Sequence, residues 1–462
     1  MAGVSLTFAV VLALYTVVIL AIGIAGFRKT KTEDEFLTAG RSIGPWVGGA
    51  VLAATQISAG TFVGTVGRHY GTGVSWVWIW PGLWLGWLVS AIFVAPKLRE
   101  FGAATVPDYL AARYRSQLAR LLSALVIIFA YTILLIAQYQ AAGEIFQVLF
   151  GVPPIYAMIM LMASTLIYTM LGGVRSSSYI DFLQTLLMIA GLLMAIPILV
   201  NAVGGLHVAG KYLGSMDPRL TGWWYNGREI LGFSLAFGLT MAASPYEMAR
   251  YNSMRDPATV RYAIGVNFLF QAIIGSSVLV LGLLMRVAFP RLASWDQASS
   301  VMALNLLSPI AGSLFLIAML SAIMSTCNSI LLVTAAGVSH DIYGKILRPG
   351  ASDSVKLLLN RLGIVVLGAF PVWFALKKLS DVQSIVVLQT EFVASFFFVP
   401  MVMGLNSKFG TRAGCLAAMV GGFTACLLWS LYGRPRMPDI NPAQAGIVAS
   451  AALYFTVSRW TR

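Results

Sequence analysis

The chain has 462 residues, of which 58% are hydrophobic and only 10% charged, and its formal net charge is +14. Soluble globular proteins do not have this composition, and the basic residues sit in short clusters between apolar runs rather than in a tail or along one face, so they read as topology signals and nucleic acid is excluded as a partner. Apolar runs reach the ~20 residues that cross a bilayer as a helix and lack the alternation of an outer-membrane barrel, so the expected fold is all-α and polytopic.

About thirteen candidate spans follow in order, at residues 4–27, 44–67, 73–96, 119–149, 153–172, 179–203, 229–252, 259–288, 308–337, 357–376, 383–406, 411–433 and 441–459. The first lacks a basic leader and a small-residue cleavage site, so it reads as a retained span. Loops after odd-numbered spans collect most of the Lys and Arg, which places the N-terminus outside and the C-terminus in the cytoplasm of a multi-pass plasma-membrane protein. No connection has the length of a second domain, so residues 1–462 form a single transmembrane unit. Cys327, Cys415 and Cys426 are odd in number and lie inside apolar runs, which implies packing rather than a disulfide or metal framework.

The loop from Arg28 to Phe36 carries mixed charge and solvates the surface. The segment from Gly48 to Gly64 is membrane-length, yet Thr55, Gln56, Ser58, Gly60 and Thr61 give it hydroxyls, an amide and a backbone free to leave helical geometry. Irregular backbone at membrane depth survives only where protein or a wet cavity surrounds it, so a discontinuous helix at a binding site is expected, with close helix packing as the alternative. Thr105 can cap a short helix with Pro107 in its first turn. Span four carries Tyr131, Gln138, Tyr139, Gln140 and Glu144, a polar stripe that suits a cavity wall or a set of interhelical hydrogen bonds.

Asp181 and Gln184 open span six, where a buried acid needs a partner unless it serves the helix dipole. Trp223, Trp224 and Tyr225 read as an interfacial anchor. Span seven, from Gly232 to Pro245, is interrupted by glycine and proline, and a second irregular segment in the other half of the chain is the sign of an inverted-repeat transporter. Span nine places Ala322, Ser325, Thr326 and Ser329 on one side of a helix. Hydroxyls of Ser325 and Thr326, meeting carbonyls freed in the broken second span, suit a monovalent cation, against the ordinary back-bond of Ser and Thr to the preceding turn.

At the level of motifs the chain resembles the sodium:solute symporter family. The likeness runs over nearly the whole chain and is carried by Thr105 to Tyr114, by Gly172-Gly-Val-Arg175 with Asp181 and Gln184, and by Ser321 to Ser329. The resemblance implies a LeuT-like core of two inverted five-helix repeats, about 44–203 and 229–406, whose first and sixth core helices are broken. The helix at 4–27 and those within about 411–459 are peripheral. It also implies a sodium site made by carbonyls of Ala54, Ile57 and Ala322 and hydroxyls of Ser325 and Thr326. Asp181 matches an acid that in some relatives binds a second sodium ion or relays sodium inward. Cys327 and Asn328 depart from a serine-rich stretch of those relatives, and Gln56 stands where some carry an acid. The segment 53–64, together with Ala322 to Thr326, looks closer to the sodium/pantothenate branch than to the sugar branch.

The expected function is sodium-coupled import, by alternating access, of a small organic solute, with pantothenate or a similar carboxylate favoured. The alternatives are a proton-coupled carrier of the same fold, or a sodium symporter for proline, another amino acid or a sugar. An enzyme is not expected, because His69, His207 and His340 lie far apart and no nucleophile or metal set accompanies them. Solute contacts are expected from Thr55, Gln56, Ser58, Trp76, Gln138, Phe237 and Met241. Glu391 is expected to face the bundle interior as a proton or polar relay. The partners are the solute, sodium and the lipid bilayer, with no obligate protein partner.

Overall fold

The computed structural model describes residues 2–27 and 30–462, so Arg28 and Lys29 at the head of the first basic loop lie outside the described residues. Among those residues the architecture is helical, with one isolated bridge between Ile43 and Met254. Nine stretches there are long and apolar enough to cross a membrane. Two of them, Gly60–Phe101 and Pro154–Ala202, run to 42 and 49 residues, about twice a single crossing. Each is turned at a glycine with positive φ, Gly73 (69°) and Gly173 (56°). At Gly173 a Cβ would also come within 2.6 Å of the Phe36 carbonyl oxygen, so both conformation and space demand glycine.

Two further passes are each made of two half-helices. Pro45–Gln56 stops where Ile57 turns extended (φ −73°, ψ 116°), and the chain resumes helical winding at Gly60–Thr65 and Val66–Thr72. Gly227–Ala243 stops at Ser244 (φ −69°, ψ 122°), and Pro245, which has no N–H to satisfy and a preset φ, starts Pro245–Asn252. With Pro442–Trp460 at the end, the chain makes about thirteen passes.

Burial sorts the passes. The most apolar window of Pro309–Leu347 is 94% buried and that of Val382–Asn406 is 83%, whereas Leu6–Ala25 is 22% and Arg412–Gly433 33% buried. The first two form the centre and face the breaks, while the last two give most of their surface to lipid. Close approach of Ile79–Val89 to Gly227–Ala243 is set by small residues, since a Cβ on Gly86 would stand 1.9 Å from the Gly238 carbonyl oxygen.

Candidate functional site

Both breaks are held by the helix Gln117–Phe150. Its Gln138 accepts a hydrogen bond from the backbone N–H of Ala59 at 2.9 Å, and its Tyr131 hydroxyl accepts one from the N–H of Tyr246 at 3.2 Å and lies 3.0 Å from Ser244 Oγ. In a continuous helix the N–H groups of Ser58 and Ala59 would bond back to Ala54 and Thr55. Here Ser58 turns its N–H to Thr61 Oγ1 and Ala59 turns its own to Gln138. The carbonyls of Ala54 and Thr55 are thereby released from the helical ladder, and that of Ile57 is released because the Thr61 N–H bonds to the Ser58 oxygen instead.

Those carbonyls meet the central helix. Ser325 Oγ lies 2.8 Å from the Ala54 oxygen and 3.0 Å from that of Ala322, and Thr326 Oγ1 lies 3.1 Å from the Ile57 oxygen and 3.3 Å from that of Thr55. Ser325 with Ala54 and Ala322, and Thr326 with Ile57, thus form two neighbouring buried groups of neutral oxygens. That donor set is hard and uncharged, suited to a small monovalent cation.

Beside it lies a cavity between the two breaks, and Thr326 lines it as well. Of the solute contacts expected from sequence, Gln56, Ser58, Phe237 and Met241 are in its wall. Thr55, Trp76 and Gln138 are not. The Thr55 hydroxyl faces Ser329 Oγ at 3.1 Å, Gln138 caps Ala59, and Trp76 packs on Tyr225 and Phe233 with the Arg68 guanidinium over its ring. Sequence reading passed over Trp80, Trp87, Gln271, Gln383, Gln389 and Thr390, which also line it. Glutamines near the middle of apolar runs were the available signal. No charged side chain lines the cavity among the described residues.

The sodium:solute symporter family model matches residues 36–422. The chain belongs to the sodium:solute symporter family. Sodium is the symporter's coupling ion, and the family is one of multi-pass membrane transporters of small solutes. Among its relatives, the osmoregulated proline transporter OpuE of Bacillus subtilis is 27% identical, over 99% of this chain and 96% of that protein. Sodium/proline symporter 2 of Staphylococcus saprophyticus is 26% identical, over 98% and 93% respectively. Among solved structures, a Na+-coupled sialic acid symporter in a substrate-bound outward-open state superposes with a TM-score of 0.86 at 19% identity, over 98% of both chains. A nucleobase-cation-symport-1 family transporter in a closed conformation gives 0.58 at 14%, over 92% of this chain and 93% of that one. These likenesses bear out the LeuT-like fold of the symporter.

Asp181 is paired with Arg250, which donates to its Oδ2 at 2.8 Å in an ion pair that solvent hardly reaches. Arg250 also donates to Ser177 Oγ at 2.7 Å and to Ser329 Oγ at 2.6 Å, which ties three helices together. Sequence reading placed Asp181 near sodium but missed its cationic partner. Glu391 differs from expectation. It is buried, yet it turns away from the cavity towards the last two helices, accepting from Asn441 Nδ2 at 2.8 Å with Arg434 Nη1 at 3.9 Å. Residue 390 faces inward in its place, its carbonyl accepting from Thr240 at 2.8 Å and its side chain lining the cavity.

The two ends of the symporter carry different charged networks. At one, Arg68 pairs with Asp381 at 3.0 Å and with Ser384 Oγ at 2.7 Å, joining the second half of the first broken helix to the head of Val382–Asn406. At the other, both His340 ring nitrogens face carboxylates, Glu33 at 3.0 Å and Asp108 at 2.7 Å. Lys356 pairs with Glu33 at 2.8 Å, and Arg120 reaches Asp108 and Asp341. Thr105 caps the Asp108 N–H at 3.1 Å, as its sequence context predicts. Burial opposes ionisation of Asp108, but hydrogen bonds and charge from His340 and Arg120 prevail and hold its carboxyl at about 2. Burial also opposes ionisation of Glu33, and His340 and Lys356 still bring it below the ordinary carboxylate range.

Proposed function

We propose that this symporter takes up a small, net-neutral amino acid of the proline class together with sodium, held by Ala54, Ile57, Ala322, Ser325 and Thr326. The observation that carries the reading is the double position of Thr326, whose hydroxyl lies 3.1 Å from the Ile57 carbonyl while the residue also lines the cavity. An ion there and a solute beside it share one wall, which is how two ligands come to strengthen each other's binding. An uncharged wall suits a zwitterion better than a net anion such as pantothenate, and relatives that match almost the whole chain are proline transporters. Proline therefore replaces pantothenate as the favoured solute. One sodium ion entering down ~100 mV and a tenfold gradient supplies about 3.7 kcal/mol, enough for several hundredfold accumulation.

Asp181 is held by Arg250 rather than open to an ion, which favours one sodium per solute. The N-terminus is assigned to the outside from the basic loops, and a protease site at the C-terminus should be cut only in inside-out vesicles. The deciding experiment is uptake of radiolabelled proline and of pantothenate by proteoliposomes, with sodium replaced by choline at fixed pH. The expected result is proline accumulation that needs sodium. Equal uptake in choline driven by a pH gradient, or pantothenate uptake without proline uptake, would overturn the reading.

A further inference from the structure

Glu247 lies in the first turn of Pro245–Asn252 and is fully buried, one side chain behind the cavity wall. Its surroundings are donors. The Tyr251 hydroxyl donates to Oε2 at 3.2 Å, and the Gln56 amide and Trp87 indole stand beside the carboxyl without completing a hydrogen bond. Glu247 Oε1, Gln56 Nε2 and Trp87 Nε1 are all left without partners. The titratable groups facing it are the hydroxyls of Tyr131, Tyr246 and Tyr251, ordinarily neutral at physiological pH. Among the described residues no Lys, Arg or His pairs with it, and Arg250 on the same half-helix is turned to Asp181.

A neutral acid must itself donate one hydrogen bond, whereas a carboxylate only accepts. Three donors and the start of a helix match the carboxylate, since the first turn of a helix favours negative charge. An unpaired charge at membrane depth is nevertheless costly, and a cation is what the arrangement lacks. The cavity lies on the other side of Gln56. That amide accepts from Gln271 Nε2 at 3.0 Å through Oε1, and its Nε2 is the end next to Glu247.

We propose that Glu247 sets the substrate class of the cavity by positioning Gln56, drawing its NH2 group to the carboxylate and leaving its carbonyl oxygen towards the cavity. That end of the cavity then presents an acceptor backed by negative potential. It receives the ammonium end of an amino acid and rejects solutes of the same shape that lack it. The inference rests on the amino-acid reading above and gives it a residue. Gln56 makes the contact, and Glu247 acts through it.

The test compares wild type, Glu247→Gln and Glu247→Asp in sodium-driven proline uptake and in competition by cyclopentanecarboxylate, which keeps the ring and carboxylate of proline but has no nitrogen. Loss of a charge-supported hydrogen bond should raise the proline KM of Glu247→Gln about ten- to a hundredfold, with kcat little changed. The preference for proline over the carbocycle should shrink in the same variant, and Glu247→Asp should recover part of it. The sign with pH follows from the ionised form being the working one, so the wild-type KM should rise as pH falls and that slope should vanish in Glu247→Gln. Proline binding to purified protein, followed by thermal shift, gives the same comparison if the Gln variant reaches the membrane poorly. An unchanged KM, discrimination and pH profile in Glu247→Gln would overturn the proposal while wild-type uptake stands. Absence of sodium-driven proline uptake in wild type would instead overturn the reading beneath it.

Discussion

The Ser325 hydroxyl stands 2.8 Å from the Ala54 carbonyl oxygen, joining the most buried helix of the bundle to the last turn of the first half-helix. The contact exists because the ladder ends there. A helix that continued past Gln56 would use that oxygen internally, and the break delivers it, with those of Thr55 and Ile57, to Ser325 and Thr326. Losing one of about five neutral ligands should cost about 1–3 kcal/mol, or roughly five- to a hundredfold in sodium affinity. Ser325→Ala and Thr326→Ala should each raise half-saturating sodium by that factor and lose the gain in solute affinity that sodium confers. Cys327→Ala, buried on the same helix, should change folded yield at most. Sodium titration of uptake in proteoliposomes checks this, and wild-type dependence in both hydroxyl variants would remove the site as the coupling site.

The Asp181–Arg250 pair makes a different prediction, because both charges are out of water. Removing one partner strands the other, a loss of about 3–5 kcal/mol, whereas removing both leaves no orphan. Asp181→Asn and Arg250→Met should each lower thermal stability in detergent markedly. The double variant should lose clearly less than the sum of the two. Additive losses would show that the two groups do not depend on each other in the folded state.

How much of this could be read beforehand differs by feature. The breaks were legible because glycine, serine and proline weaken or interrupt a helical ladder and are out of place in a run that only needs to face lipid, and Ser325 with Thr326 because adjacent hydroxyls on a buried helix are conspicuous. The aromatic wall was not. Trp76 and Trp80 are one turn apart in a run apolar on every side, and only packing against the second broken helix decides that Trp80 faces the cavity while Trp76 sits under Arg68. Arg250 lies at the end of the seventh apolar span, and only the half-helix Pro245–Asn252 shows that it is carried inward to Asp181. Glu391 is one residue from the inward-facing Thr390, so an error of one position in facing moves the acid to the opposite side of the helix.

At the end of the bundle bearing His340, pH should act through Asp108. Its folded value of about 2 lies below the ordinary ~3.9 of an aspartate, so the group binds fewer protons when folded than when unfolded. Its contribution to stability is therefore fully present above the unfolded value and is lost as pH falls from ~4 towards 2. Glu33, depressed in the same direction, adds to that loss in the acid range. Melting temperatures taken between pH 7 and 3 should fall more steeply for wild type than for Asp108→Asn. Parallel curves would mean that the His340 and Arg120 contacts do not persist in the detergent-solubilised protein.

Gln138 was expected to touch solute, and its position implies a different defect on replacement. Its Oε1 takes the N–H of Ala59, the donor next after Ser58 to be freed by the break, and so sets where the chain resumes towards Gly60. Gln138→Ala would leave that N–H buried without an acceptor, at a cost of about 1–3 kcal/mol. The chain can relieve this only by re-forming helix across Ile57, which would withdraw the carbonyls now offered to Ser325 and Thr326. Gln138→Ala should consequently weaken sodium and solute together, whereas a residue that touched solute alone would raise the solute KM and leave sodium binding without solute unchanged. Gln138→Glu keeps an acceptor at the same reach and should retain sodium binding better than alanine does. Sodium binding to purified protein without solute, measured by thermal shift for the three proteins, separates these outcomes. Unaltered sodium affinity in Gln138→Ala would show that the break holds its shape without this contact.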